Sequence, residues 1–245
     1  MKKIAFFLPN IFTALNMACG FVAGIYSWKG EFYIGCMFIF LGGIFDSVDG
    51  RVARMTGTQS SFGEQFDSLS DIISFGIAPS LMVYNRFFFD MGKEGLVLSF
   101  LFLLCGALRL ARFNANIEKV SSDYFQGLPI PSAAMAVIGY ILLSLDFPSL
   151  VENKILSAVY VVFYSLLMIS NIPFYSFKNS EWIKKNKKTT LVIIFLIFSS
   201  IFAYEKYMIA FITAAYVFCC LIYFVKHHGE LKEMFIWKDR DENEV

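Results

Sequence analysis

Residues 46–71, DSVDGRVARMTGTQSSFGEQFDSLSD, carry four aspartates and two arginines between segments that hold no charge. The uncharged stretch IGCMFIFLGGIF (34–45) leads into them, and IISFGIAPSLMVY (72–84) follows. An aspartate at the centre of a bilayer costs roughly 3 kcal/mol even on insertion-derived scales, so a cluster of four has to be compensated from outside itself. How the chain places and compensates these carboxylates decides its fold.

Working outward, the chain has 245 residues, 57% of them hydrophobic and only 17% charged, with 29 Phe. Apolar runs near bilayer length recur throughout, which excludes an ordinary soluble domain and defines an all-α, polytopic membrane protein. Spans are expected at about 11–28, 32–54, 62–89, 95–113, 132–145, 155–170, 189–203 and 207–225, about eight transmembrane helices. Residues 1–10, basic and aromatic, read as a short interfacial approach with no removable signal peptide. The organisation expected is a core over 1–170, a basic loop with two extra helices over 171–225, and a solvated tail over 226–245. Gly127, Pro129 and Pro131 break the loop 115–130. The five cysteines lack ligand spacing and read as small reduced hydrophobes, and His227 and His228 as interfacial groups.

Charge sets the orientation. With the N-terminus cytoplasmic, 16 of the 21 Lys and Arg fall at inside ends, so both termini and residues 46–71 are expected on the cytoplasmic face.

On a helix at ~100° per residue, Asp46, Asp49, Gly50, Ala53 and Arg54 fall within an arc of roughly 140°. Gly63, Asp67 and Asp71 share a face of the next helix. An eight-residue turn, 55–62, is expected to fold the two into an antiparallel hairpin, so that four carboxylates surround one small volume. Hard oxygen ligands in that number suit Mg²⁺, Mn²⁺ or Ca²⁺, as one ion or two. Gly50, Ala53 and Gly63 clear space for a large ligand, and Arg54 offers planar donors to a phosphate. An EF-hand is excluded, because its ligands alternate along a loop while this pattern is helical.

The full pattern, D46-x2-D49-G50-x2-A53-R54-x8-G63-x3-D67-x3-D71, resembles the defining motif of the CDP-alcohol phosphatidyltransferase family at every position. That resemblance implies a six-helix core, a homodimer, and transfer of a phosphatidyl group from a CDP-activated lipid to an alcohol. It further implies Asp46, Asp49 and Asp67 as metal ligands, with Asp71 beside the metals as general base. Asn10 and Thr13, with Asp49, Gly50, Ala53, Arg54 and Gly63, are expected to frame the cytidine diphosphate. Asn10 and Thr13 serve equally well as plain helix caps.

Two further stretches bear on the acceptor. PNIFTALNMACG (9–20) places Asn16, a costly amide, inside the first span, and LRLARFNAN (108–116) precedes YFQGLPIPSAA (124–134). Both resemble the serine-using branch of the same family, over roughly residues 8–145. L-serine is therefore the expected acceptor, with Asn16, Arg109, Arg112 and Asn114 as its binding groups and CDP-diacylglycerol as donor. Nucleic acid is not an expected partner. Glycerol 3-phosphate or inositol as acceptor stays open. A prenyltransferase would hold its acidic motifs far apart in the chain, and a cation transporter would carry polar residues through the outer halves of its spans.

Overall fold

The computed structural model describes residues 2–115, 124–175 and 185–227. The basic segment 178–184, the tail beyond residue 227 and residues 116–123 of the 115–130 loop lie outside the described residues. The chain folds as helices α1 (Lys2–Trp28), α2 (Phe32–Thr56), α3 (Ser61–Met91), α4 (Lys93–Ala115), α5 (Ile130–Asp146), α6 (Lys154–Ile169), α7 (Lys187–Ala203) and α8 (Glu205–Lys226). Five of them, α1 from Phe7 onward, α2, α3, α4 and α8, are long and apolar enough to cross a membrane, and α5, α6 and α7 are shorter apolar helices. The protein is a multi-pass, all-α membrane protein.

Two expectations change. Residues 2–10 are not a separate approach: α1 is continuous through Pro9, since only one backbone donor is lost there. The turn between α2 and α3 is shorter than expected, because helix extends to Thr56 and restarts at Ser61. Gly57, at φ +64°, ends α2 in the left-handed conformation that glycine adopts without a Cβ clash. Ser60 then caps α3, its Oγ accepting from the Gly63 N–H at 3.1 Å.

Among the described residues a short helix, Ser149–Glu152, and a ribbon escaped the sequence pattern. Tyr124–Gln126 and Pro173–Tyr175 pair as a two-stranded antiparallel ribbon, Phe125 opposite Phe174. Three residues per strand are too few to show alternation.

Helix α5 is the most enclosed element, with Ala133, Ala134, Ala136, Val137, Ile138, Ile141 and Leu142 all buried. It packs against α2, α6 and α8. At Gly139 an added Cβ would lie 2.8 Å from the Ala210 backbone, so α5 and α8 cross at close range. Helix α7 packs on α8 and leaves Leu191–Phe198 exposed, which is the surface a lipid-facing helix presents.

Helix α1 determines the site's geometry. It runs along α2 and also packs against α3. Gly20 allows this approach, because a Cβ there would meet the Ser74 Cα at 2.5 Å. Two serines join α3 to α1: Ser70 Oγ donates to Thr13 O at 3.0 Å, and Ser74 Oγ to Asn16 O at 2.8 Å. Past Asp71, α3 widens into a π-helical stretch, Ile72–Ile77, just before Pro79, whose missing N–H already breaks the regular α ladder.

Candidate active site

Asp46 and Asp49 come from the last turns of α2, and Asp67 from the second turn of α3. Their carboxylate oxygens lie within 4.8 Å of one another. Asp49 is 5% exposed, and Thr13 Oγ1 donates to its Oδ2 at 2.8 Å. Asp67 Oδ1 is buried with no hydrogen-bond partner. The ion pairs among the described residues, Lys154–Asp90 and Lys206–Asp146, include none of these three. Three carboxylates this close, one with an orphaned buried oxygen and none paired to a base, form a donor set that fits a hard divalent cation.

Asp71 stands one turn beyond Asp67, against Asp46 and outside the group of three. It is 8% exposed. Asn16, fully buried, donates from Nδ2 to Asp71 Oδ1 at 3.5 Å. Arg109 on α4, also buried, is the cation that acts electrostatically on Asp71, and its Nε has no partner.

Beside the carboxylates lies an open pocket of about 170 Å³. It is lined by Asn10, Thr13, Asp49, Gly50, Ala53, Arg54, Gly63 and Asp67, so every residue expected to frame a cytidine diphosphate borders one space. At Gly63 a Cβ would come to 3.3 Å from Ser60 Oγ, a tight approach, and to 3.6 Å from Asn10 Oδ1, an ordinary contact. The sequence reading missed Pro9, Thr58, Gln59, Ser60 and Glu64, which complete the lining. For Thr58, Gln59, Ser60 and Glu64 the available signal was their position inside the motif's eight- and three-residue gaps, and for Pro9 its place directly before Asn10.

The four residues expected to bind the acceptor separate. Asn16 meets Asp71 directly, whereas Arg109 acts on it only electrostatically, with no ion pair between them. Asn114 Nδ2 donates to Ser68 Oγ at 2.9 Å, which holds the end of α4 beside Asp67. Arg112 is turned to another task. Its Nη1 donates to Ile169 O at 2.9 Å and Asn171 Oδ1 at 3.2 Å, and its Nη2 to the carbonyls of Gln126, Met168 and Ser170 at 3.0–3.1 Å. These are the free carbonyls at the C-terminus of α6 and one from the ribbon, a place where a cation also complements the helix dipole.

Fold and site together define a multi-pass membrane protein with a carboxylate cluster that fits a divalent cation, set beside an open pocket at a helix junction. The profile described as CDP-alcohol phosphatidyltransferase matches residues 6–169. The chain is 40% identical over 192 residues to the CDP-diacylglycerol–serine O-phosphatidyltransferase of Helicobacter pylori (strain ATCC 700392 / 26695), covering 78% of this chain and 80% of that one. It is 37% identical over 176 residues to the protein of the same name from Methanocaldococcus jannaschii, covering 72% and 77%. To the archaetidylserine synthase of Methanothermobacter thermautotrophicus it is 36% identical over 177 residues, covering 71% and 72%. The chain belongs to the CDP-alcohol phosphatidyltransferase family.

Proposed function

We propose that this protein transfers the phosphatidyl group of CDP-diacylglycerol to the hydroxyl of L-serine, giving phosphatidylserine and CMP. The observation that carries the reading is the shared border of the 170 Å³ pocket and the carboxylate trio, Asp49 and Asp67 belonging to both. The serine-specific names of the relatives support the acceptor.

The serine oxygen attacks the β-phosphorus, an O–P bond forms, and the P–O bond to the CMP phosphate breaks. Asp71 accepts the hydroxyl proton, with Asn16 holding the carboxyl in position. Arg109 receives the serine carboxylate, since a buried guanidinium with a free Nε is short of an anionic partner. Arg54 meets the departing phosphates at the pocket rim. Mg²⁺ or Mn²⁺ held by Asp46, Asp49 and Asp67 would neutralise the diphosphate and the charge developing on the leaving group. Ca²⁺ fits the same oxygens as a non-productive occupant.

The site and both termini face the cytoplasm of a bacterial-type inner membrane, where serine is soluble and the donor lipid is within reach. The enzyme works as a homodimer, as the family resemblance implies. The test is CMP release by purified protein from CDP-diacylglycerol with Mn²⁺ or Mg²⁺, across serine, glycerol 3-phosphate and inositol. Release with serine alone is expected. Release with another acceptor alone moves the protein to a sibling activity, and no release with any of them overturns the reading.

A further inference from the structure

Arg109 is buried on α4, and a guanidinium buried near a carboxylate ordinarily pairs with it. Arg109 does not: the ion pairs among the described residues are Lys154–Asp90 and Lys206–Asp146, and its Nε has no partner. The groups that act on it electrostatically are Asp71, Arg112 and Tyr216. Arg112 is committed to the carbonyls at the end of α6. Tyr216 comes from α8, beyond the residues 6–169 that the family profile matches. It is itself held in place. Its Oη donates to Tyr175 O at 3.2 Å, and its ring packs on Phe174 with centroids 6.1 Å apart. Both partners lie in the strand that pairs with Tyr124–Gln126, and Gln126 O accepts from Arg112 Nη2 at 3.0 Å, one turn along α4 from Arg109. The ribbon thus ties the Arg109 end of α4 to Tyr216 on α8. A guanidinium has donors only, so the phenol oxygen can meet it only through its lone pairs.

We propose that Tyr216 is a positioning residue of the acceptor end of the site: it holds the Arg109 guanidinium off Asp71, so that Arg109 stays open to the acceptor's carboxylate and Asp71 to its proton. This rests on the proposed transfer to L-serine. Without the phenol oxygen, the guanidinium closes on Asp71, the anion that already acts on it. Such a pair competes with serine for both groups. Tyr216 works through Arg109 and has no need to touch serine. The last helix thereby gains a part in the site, although it supplies no group to the carboxylate trio or to the pocket beside it.

The test titrates L-serine calorimetrically into detergent-purified full-length protein in Mn²⁺ and reads KM for serine from CMP release. Tyr216→Phe keeps the ring on Phe174 and removes the hydroxyl. It is expected to raise both the serine Kd and KM about tenfold, the lower end of the loss when a group that orients a ligand is removed. KM for CDP-diacylglycerol should stay within about threefold. In an Arg109→Ala background the same substitution should change serine affinity less than about twofold, because the two groups act as a unit. Tyr223→Phe controls for a merely structural link. It also loses a hydroxyl contact between α8 and the ribbon, Tyr223 to Tyr124 at 3.4 Å, but Tyr223 is not among the groups acting on Arg109. Serine binding there should stay within about twofold. An unchanged serine Kd in Tyr216→Phe overturns the inference. So does an equal loss in Tyr223→Phe, an undiminished effect in Arg109→Ala, or absence of serine binding by the unsubstituted protein. Serine binding that depends on Tyr216 through Arg109, in a protein that releases no CMP with any acceptor, would uphold the positioning role while removing the proposed reaction. Turnover with serine at a KM indifferent to Tyr216→Phe would do the reverse.

Discussion

Asn16 on α1 donates through Nδ2 to Asp71 Oδ1 on α3, across 55 positions of sequence. A fully buried amide inside a transmembrane helix is costly unless its polar atoms are used, and here one of them holds the carboxyl proposed as the base. Gly42 on α2 leaves room for the same amide, since a Cβ there would stand 2.9 Å from Asn16 Oδ1. The tip of Asn16 is therefore where all three helices of the site meet.

Asn16→Ala removes that positioning contact without touching donor lipid. Its kcat is expected to fall roughly 10–100-fold, the usual loss when a group that orients a site carboxylate is removed. KM for CDP-diacylglycerol should stay within about threefold. Steady-state kinetics at saturating serine separates the two parameters.

Asp71→Asn should abolish turnover, a loss of at least about 10²–10⁴ for a general base. Binding of the CDP-lipid, followed by calorimetry in Mn²⁺, should persist, because the Asp46, Asp49 and Asp67 trio is left intact.

The two arginines of α4 should give opposite signatures. Arg109→Ala is expected to raise KM for serine roughly 10–100-fold, matching the 1.5–3 kcal/mol of a hydrogen bond to a charged group. Arg112→Ala instead frees the carbonyls of Gln126, Met168, Ile169 and Ser170. It should cost about 2–3 kcal/mol of stability, read as a lower Tm in detergent, with KM for serine changed far less than in Arg109→Ala.

Gly63→Val puts two methyl groups where one Cβ already comes within 3.3 Å of Ser60 Oγ. KM for CDP-diacylglycerol should rise about tenfold or more, equivalent to about 1.4 kcal/mol of lost binding, because the side chain occupies space the donor needs. The Tm is expected to change little, since the added bulk enters an open pocket.

Chelation should stop the reaction, and Mn²⁺ or Mg²⁺ should restore it. Mn²⁺ should also raise the Tm of the unsubstituted protein, because an ion that binds only the folded state stabilises it. Asp67→Asn, which removes the charge beside the orphaned oxygen, should lose that rise.

Much of this site is legible in residues 46–71 because its spacing is helical. Asp46 and Asp49, and Asp67 and Asp71, sit one turn apart, so a helical wheel alone brings each pair to one face. The pocket-lining group Asn10, Thr13, Asp49, Gly50, Ala53, Arg54 and Gly63 is legible from the motif and the resemblance it carries, whereas Pro9, Thr58, Gln59, Ser60 and Glu64 are not. Arg112 was not legible. Arg109 and Arg112 are one turn apart in a basic helix end, and nothing in that spacing tells which meets a carboxylate and which caps a neighbouring helix.

The sequence alone determines the membrane class, the helical spans and the two acidic faces, because these depend on periodicity, span length and the cost of charge in lipid. The tertiary structure decides what those faces meet. Gly20 and the hydroxyls of Ser70 and Ser74 draw α1 against α3, which places Asn16 at Asp71 and Thr13 at Asp49. The meeting of α4, α6 and the ribbon gives Arg112 a set of carbonyls and leaves Arg109 for the site. Such contacts join residues tens of positions apart, and only packing in three dimensions selects among the partners that local pattern leaves equivalent.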